Sequence, residues 1–236
     1  TEALKKSESI HAKDAKFLRS KTEKLTKFTL PGPMTISDTI ANEFYADKAE
    51  MAMEFAKLLN DEAKTLCNEG IDVIQFDEPA FNSFLKESIE WGMDAMEVAI
   101  DGLECKTAIH ICYGYGIEEN LNWKKTLGDQ WRQYENLFPS INQSNIDQVS
   151  LEFAGSRVPP ELMRLLPDKE IMAGVISVVG DHIETAEEVE KNIISALDHV
   201  EAERLIPCTN CGMAPISVDV AKQKLQALGE GTKRAA

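Results

Sequence analysis

Thr107-Ala108-Ile109-His110-Ile111-Cys112-Tyr113-Gly114 is an apolar run that ends in two metal-capable side chains and a glycine. Residues 107–111 read as a short buried strand. Side chains two apart on a strand point the same way, so His110 and Cys112 face one side together. Alone, a His-x-Cys pair is a weak signal, because a strand histidine next to a buried cysteine is more often packing than ligation. Its weight depends on what the rest of the chain brings to the same place.

Working outward, the same grammar recurs: a short apolar run, a cluster of polar or acidic residues at its end, then a helical stretch. Strands are expected at 28–30, 71–76, 149–153, 171–179 and 205–208. With residues 107–111 counted as the third strand, Asp77-Glu78-Pro79 follows the second, Glu152 lies in the fourth, and Thr209-Asn210-Cys211-Gly212-Met213 follows the sixth. Between them, residues 47–69 carry apolar side chains at helical spacing and stop at Gly70. Residues 84–100 and 217–228 read as further helices, and Thr185-x-x-Glu188 is a capping box for a helix to His199. Pro159-Pro160 opens a short helix to Leu166. Residues 2–27 are expected to hold a charged surface helix, Pro31-Gly32-Pro33 a rigid turn, residues 114–127 a loop, and residues 131–137 a short helix. Six strand-helix alternations argue for a parallel α/β architecture, either a doubly wound sheet or a (β/α)8 barrel. No glycine-rich phosphate loop follows any strand, which counts against nucleotide binding. In a barrel, the strand C-terminal ends form the active face, and Asp77, His110, Cys112, Glu152 and Cys211 all fall there.

Forty acidic against 25 basic residues give a net charge of −15, which repels nucleic acid and anionic membrane surfaces. No apolar run is long enough to span a bilayer and no signal-peptide pattern opens the chain, so a cytoplasmic protein is expected. Five cysteines, an odd number, are expected as reduced thiols or ligands, with Cys67 and Cys105 structural. Cys208-x-x-Cys211 also matches a redox dithiol, but near the C-terminus of a large chain rather than after an early strand. Tyr113, Tyr115, Trp123, Trp131 and Tyr134 form an aromatic set suited to loop packing or to covering a flat ligand.

His110, Cys112, Glu152 and Cys211 are all acceptable ligands of zinc, and their thiolates favour Zn²⁺ over Mg²⁺ or Ca²⁺. Two thiolates and a carboxylate would leave such a centre net negative. That suits binding a thiol as thiolate below its ordinary pKa of about 8.5 better than activating water. Thiol alkylation is the expected chemistry.

The runs Leu30-Pro-Gly-Pro-Met-Thr35, Ile74-Gln-Phe-Asp-Glu-Pro-Ala80, Ile109-His-Ile-Cys112, Leu151-Glu152 and Asn210-Cys-Gly-Met213 resemble, in this order, the catalytic C-terminal domain of cobalamin-independent methionine synthase and its short single-domain members. The resemblance covers essentially the whole chain. It implies a single catalytic (β/α)8 TIM barrel domain over 1–236, of the type shared with uroporphyrinogen decarboxylase. His110, Cys112, Glu152 and Cys211 would hold zinc, and Asp77 would hold the amino acid substrate. The implied reaction is zinc-dependent methyl transfer from 5-methyltetrahydrofolate, or its polyglutamate, to the thiol of homocysteine, giving methionine. A corrinoid-dependent thiol methyltransferase of the same superfamily and a catalytically silent zinc-binding partner are the alternatives. The implied partners are small molecules, with self-association into a homo-oligomer left open. Neither the family's Gly-Ser-Phe-Pro type loop nor its first acidic substrate residue precedes Leu30. The barrel is therefore expected to lack its first two strand-helix units and to be N-terminally incomplete. The family's Asp-x-His proton donor has no match at Ser177-Val178-Val179, and His182 is the nearest candidate.

Overall fold

The computed structural model describes residues 2–6, 8–114 and 118–236. Six strands, β1 (Lys27–Pro31), β2 (Val73–Asp77), β3 (Lys106–Ile111), β4 (Gln148–Glu152), β5 (Glu170–Ile176) and β6 (Leu205–Thr209), form one sheet in sequential order. β1 with β2, β2 with β3, and β5 with β6 pair in parallel. Helices lie between successive strands: α1 (Ala12–Arg19) precedes β1, α2 (Pro33–Thr39) and α3 (Lys48–Asn68) follow it, and α4 (Ala80–Ser83), α5 (Leu85–Glu87) and α6 (Met93–Ile100) follow β2. After β3 come α7 (Glu118–Thr126) and α8 (Tyr134–Gln143), after β5 α9 (Ala186–Leu197), and after β6 α10 (Val218–Ala235). A 3₁₀ segment, Pro160–Leu165, joins β4 to β5. The sequential parallel order is that of the (β/α)-barrel class expected from the sequence. By compactness the chain divides into two units, residues 1–110 with 143–148 and residues 111–142 with 149–236, the division falling inside β3.

All five residues of β4 are buried, as are the last five of β3, the mark of strands covered on both faces. α3 begins at Asp47, whose carboxylate accepts from the Glu50 amide, and α9 at Thr185 with both bonds of the expected capping box. No helix among the described residues is long and apolar enough to cross a membrane.

Several local expectations are corrected. Pro33 opens α2 instead of ending a turn, because a proline at the first helical position gives up only an N–H that the helix leaves unpaired anyway. Residues 118–126 are helical rather than a loop; their polar composition presents no apolar stripe to betray a helix. Among the described residues, the charged N-terminal stretch keeps eight helical residues, those of α1. The helix expected over 84–100 is interrupted by a π segment, Ser88–Gly92. There the Ser88 hydroxyl donates to the carbonyls of Phe81 and Phe84, and a Cβ on Gly92 would stand 3.0 Å from Met34 Sδ and Phe81. α10 runs on to Ala235 across two glycines, because Gly231 lies against Val189 of α9, where a Cβ would come within 2.5 Å. Cys67 and Cys105, expected as thiols, form a disulfide that joins the end of α3 to the start of β3.

Candidate metal centre

The end of β3 places His110 and Cys112, both buried, where the strand gives out. Cys211 follows β6 by two residues. The ligand atoms of His110, Cys112 and Cys211 all lie within 4.8 Å of one another, a spacing one ion could bridge. Three of the four sequence-predicted ligands are thus brought together. Glu152, the last residue of β4, is not a member of that group. It is buried, and its Oε2 accepts from the Tyr113 amide at 3.1 Å.

Electrostatics tie Glu152 to the thiols all the same. The Cys112 thiol is held well above the ordinary thiol range, first by its hydrogen bond with Cys211, then by burial and by the neighbouring charges of Cys211 and Glu152. A cluster of acids this tight resists ionising by itself. A soft dication reverses that preference, since a coordinating thiol is deprotonated outright. Imidazole and two thiols with a carboxylate nearby are a donor set that fits zinc. Cys112, Cys208 and Cys211 remain thiols, so the Cys208-x-x-Cys211 pair is not closed as a disulfide, and Cys211 groups instead with His110 and Cys112.

Asp77 ends β2, half-buried, in register with Pro31 of β1 and His110 of β3. Its Oδ1 accepts from Gln75 Nε2 at 2.8 Å, and Gln75 Oε1 in turn accepts from Lys27 Nζ at 2.6 Å. His182 lies in the segment between β5 and α9, with its side chain two-thirds exposed and Nε2 3.4 Å from Glu188 Oε1. It is outside the three-residue cluster. Tyr113 stacks on Trp123 and meets Trp131 and Tyr134, while Lys124 lies over Trp131 and donates to the Gly114 carbonyl. Tyr115, named with these aromatics, lies outside the described residues.

Two buried groups near these positions carry no sequence signature of their own. Glu78, fully buried beside Asp77, accepts from the amides of Met34 and Thr35 and from the Thr35 hydroxyl. Burial pushes its carboxyl up to about 7 against those three donors. Lys224 of α10, also fully buried, donates to Glu184 Oε2 at 2.7 Å and to the His182 carbonyl. The Asp-Glu-Pro run pointed to Glu78 only as a neighbour of Asp77, and Lys224 reads in the sequence as one more polar residue of a surface helix.

A model of the cobalamin-independent synthase catalytic domain matches residues 2–234. Methionine synthase of Saccharolobus islandicus is 35% identical over 209 residues, 88% of this chain and 57% of that protein. Methionine synthase of Sulfurisphaera tokodaii is 34% identical over 214 residues, 91% of this chain and 57% of that protein. The chain therefore spans 57% of the length of these curated relatives. Among solved structures, a B12-independent methionine synthase from Shewanella sp. W3-18-1, in complex with selenomethionine, matches with a TM-score of 0.94 at 52% identity, over 98% of this chain and 67% of that one. A Listeria monocytogenes protein, with a TM-score of 0.73 at 20% identity over 99% of this chain and 72% of that one, shares the fold.

Proposed function

We propose that this chain, which belongs to the cobalamin-independent synthase family through its catalytic domain, carries the zinc-dependent transfer of a methyl group from 5-methyltetrahydrofolate to the thiol of homocysteine, giving methionine. The observation that carries the reading is the convergence of His110, Cys112 and Cys211 within 4.8 Å. The 52%-identical Shewanella relative, solved with selenomethionine, supports a product of the same class.

His110, Cys112 and Cys211 would hold the zinc, with Glu152 completing the set. When bound, zinc lowers the pKa of a coordinated thiol while leaving its sulfur nucleophilic. The protein's own residues then do the rest. Burial of Cys112 at the end of β3 keeps water from its sulfur, while Cys211, half-buried, leaves the cluster open on its own side. Asp77 offers a carboxylate to the ammonium group of homocysteine, which fixes the direction from which its sulfur reaches the site. In the transfer the homocysteine sulfur loses its proton and gains the methyl carbon, the bond from that carbon to the folate nitrogen breaks, and the nitrogen takes up a proton. His182, between β5 and α9, is the candidate source of that proton. We place this chemistry in the cytoplasm.

The deciding experiment supplies zinc-loaded protein with homocysteine and, separately, methyltetrahydrofolate or methylcobalamin, and measures methionine by mass spectrometry. Methionine is expected from the folate donor, with one zinc per chain that falls well below one in Cys211→Ser. Well under one zinc in the unaltered protein, unchanged by Cys211→Ser, would remove the metal centre. Methionine from methylcobalamin alone would reassign the donor.

A further inference from the structure

We propose that Tyr134 and Asn210 are positioning residues that fix the spacing of Cys112, Glu152 and Cys211 before any metal arrives, an inference that rests on the metal-centre reading above. Tyr134 is fully buried at the start of α8. Its hydroxyl donates to the carbonyl of Ile111, the residue before Cys112, at 2.7 Å, and accepts from the backbone amide of Glu152 at 3.3 Å. One oxygen thus joins the backbone beside one candidate ligand to the backbone of another. Stacking against Phe138, with ring centroids 4.5 Å apart, and edge contact with Tyr113 leave that ring little freedom.

Asn210 does the same on the other side. It directly precedes Cys211 and is 1% exposed. Its Oδ1 accepts from the amide of Phe153, the residue after Glu152, at 3.0 Å, and its Nδ2 donates to the Ala154 carbonyl at 2.6 Å. Its own amide donates to the Ile176 carbonyl at 2.8 Å. Asn210 follows β6 and its partners follow β4, so the side chain must pass over β5, which lies between them in the sheet. Gly174 of β5 makes the passage: a Cβ there would stand 2.2 Å from Asn210 Oδ1 and 2.6 Å from its Cα. A glycine inside a strand weakens it, and here the missing side chain is the space that Asn210 occupies.

Both contacts occur where the strands are ending and buried backbone groups still need partners. Side-chain partners that lie one residue from a ligand transmit their own rigidity to it, as outer-shell groups commonly do in metal sites. Ordinary packing would explain a buried tyrosine or a buried asparagine. It does not explain why both bridge between the residues that carry or adjoin the candidate ligands.

The test measures zinc affinity by chelator competition, and the absorption spectrum of the Co²⁺-loaded protein, in Tyr134→Phe, Asn210→Asp and a control. The control is Asn60→Asp, which alters a buried asparagine whose Nδ2 bonds the carbonyls of Ala99 and Asp101 at the end of α6. Both site variants are expected to raise the zinc Kd by about 10- to 100-fold and to shift the thiolate-to-cobalt bands. Asn60→Asp should lower the unfolding midpoint and leave affinity and spectrum unchanged. The proposal is overturned if the folded site variants keep the parent Kd and spectrum, or if Asn60→Asp weakens zinc equally. Should Asn210→Asp fail to fold, Tyr134→Phe, which keeps the ring and its stacking, decides alone. Failure of the unaltered protein to take up cobalt is a separate result, and it removes the metal centre itself.

Discussion

Cys112 has two other acids beside it, Cys211 and Glu152, and that neighbourhood defines its chemistry more than its own thiol does. Burial and hydrogen bonding with Cys211 keep it protonated in isolation, whereas a cation shared with His110 and Cys211 would favour its thiolate. Asp77 has a different neighbourhood, half-buried with its Oδ1 accepting from Gln75, and in the proposed reaction it meets a substrate ammonium. A charge-assisted hydrogen bond of that kind contributes about 1.5–3 kcal/mol. Asp77→Asn is therefore expected to raise the KM for homocysteine by roughly tenfold to a hundredfold with a smaller change in kcat, while zinc content stays at the parental value. Steady-state kinetics with metal analysis on the same preparation checks both. A fall in zinc content alongside the KM change would move Asp77 from the substrate to the metal.

At the scale of elements, α2 depends on a residue from another strand. Gly32 precedes its first turn and has no side chain to accept from the helix amides, so Glu78, after β2, reaches in and accepts from Met34 and Thr35. A Cβ on Gly32 would fall 2.1 Å from Glu78 Cδ. Gly32→Ala is expected to displace the carboxylate and lower stability by about 1–3 kcal/mol, the cost of leaving buried donors unpaired. Burial also makes this cap pH-dependent. With its carboxyl raised to about 7 in the fold, Glu78 binds its proton more tightly folded than unfolded. Its contribution is thus complete below about pH 4.5 and is lost as pH rises toward 7, by an amount on the order of 3 kcal/mol. Urea unfolding at pH 5, 6 and 7 should show that decline in the parent and a flattened profile in Glu78→Gln; parallel profiles would show that Glu78 does not titrate in this window.

Across the larger C-terminal unit, a single buried cation organises the segment after β5. Lys224 on α10 pairs with Glu184, whose other oxygen accepts from the Ser177 amide, and Lys224 also bonds the His182 carbonyl. Both ends of the Ser177–Thr185 segment, which bears the candidate proton donor, are thereby tied to the last helix. Removing one member of a buried pair strands the other, typically at a cost of about 3–5 kcal/mol. Lys224→Met should lower stability by that order in denaturant unfolding, and Lys224→Met with Glu184→Gln should recover part of the loss. A double variant as unstable as the sum of the two single ones would argue against a coupled pair.

Much was decided by sequence alone. Alternating apolar runs and amphipathic stretches specify six parallel strands with helices between them, because period-2 and period-3.6 burial are local properties of the chain. The capping box at Thr185 and the placing of His110, Cys112, Glu152 and Cys211 at strand ends were legible for the same reason. Tertiary structure alone decided the partners: which three ligand atoms converge, that Cys67 meets Cys105, that Glu78 caps α2, and that Asn210 crosses Gly174 to hold β4. Each of these joins residues tens of positions apart, and a pairwise contact at that range leaves no periodicity in the chain for a sequence reading to detect.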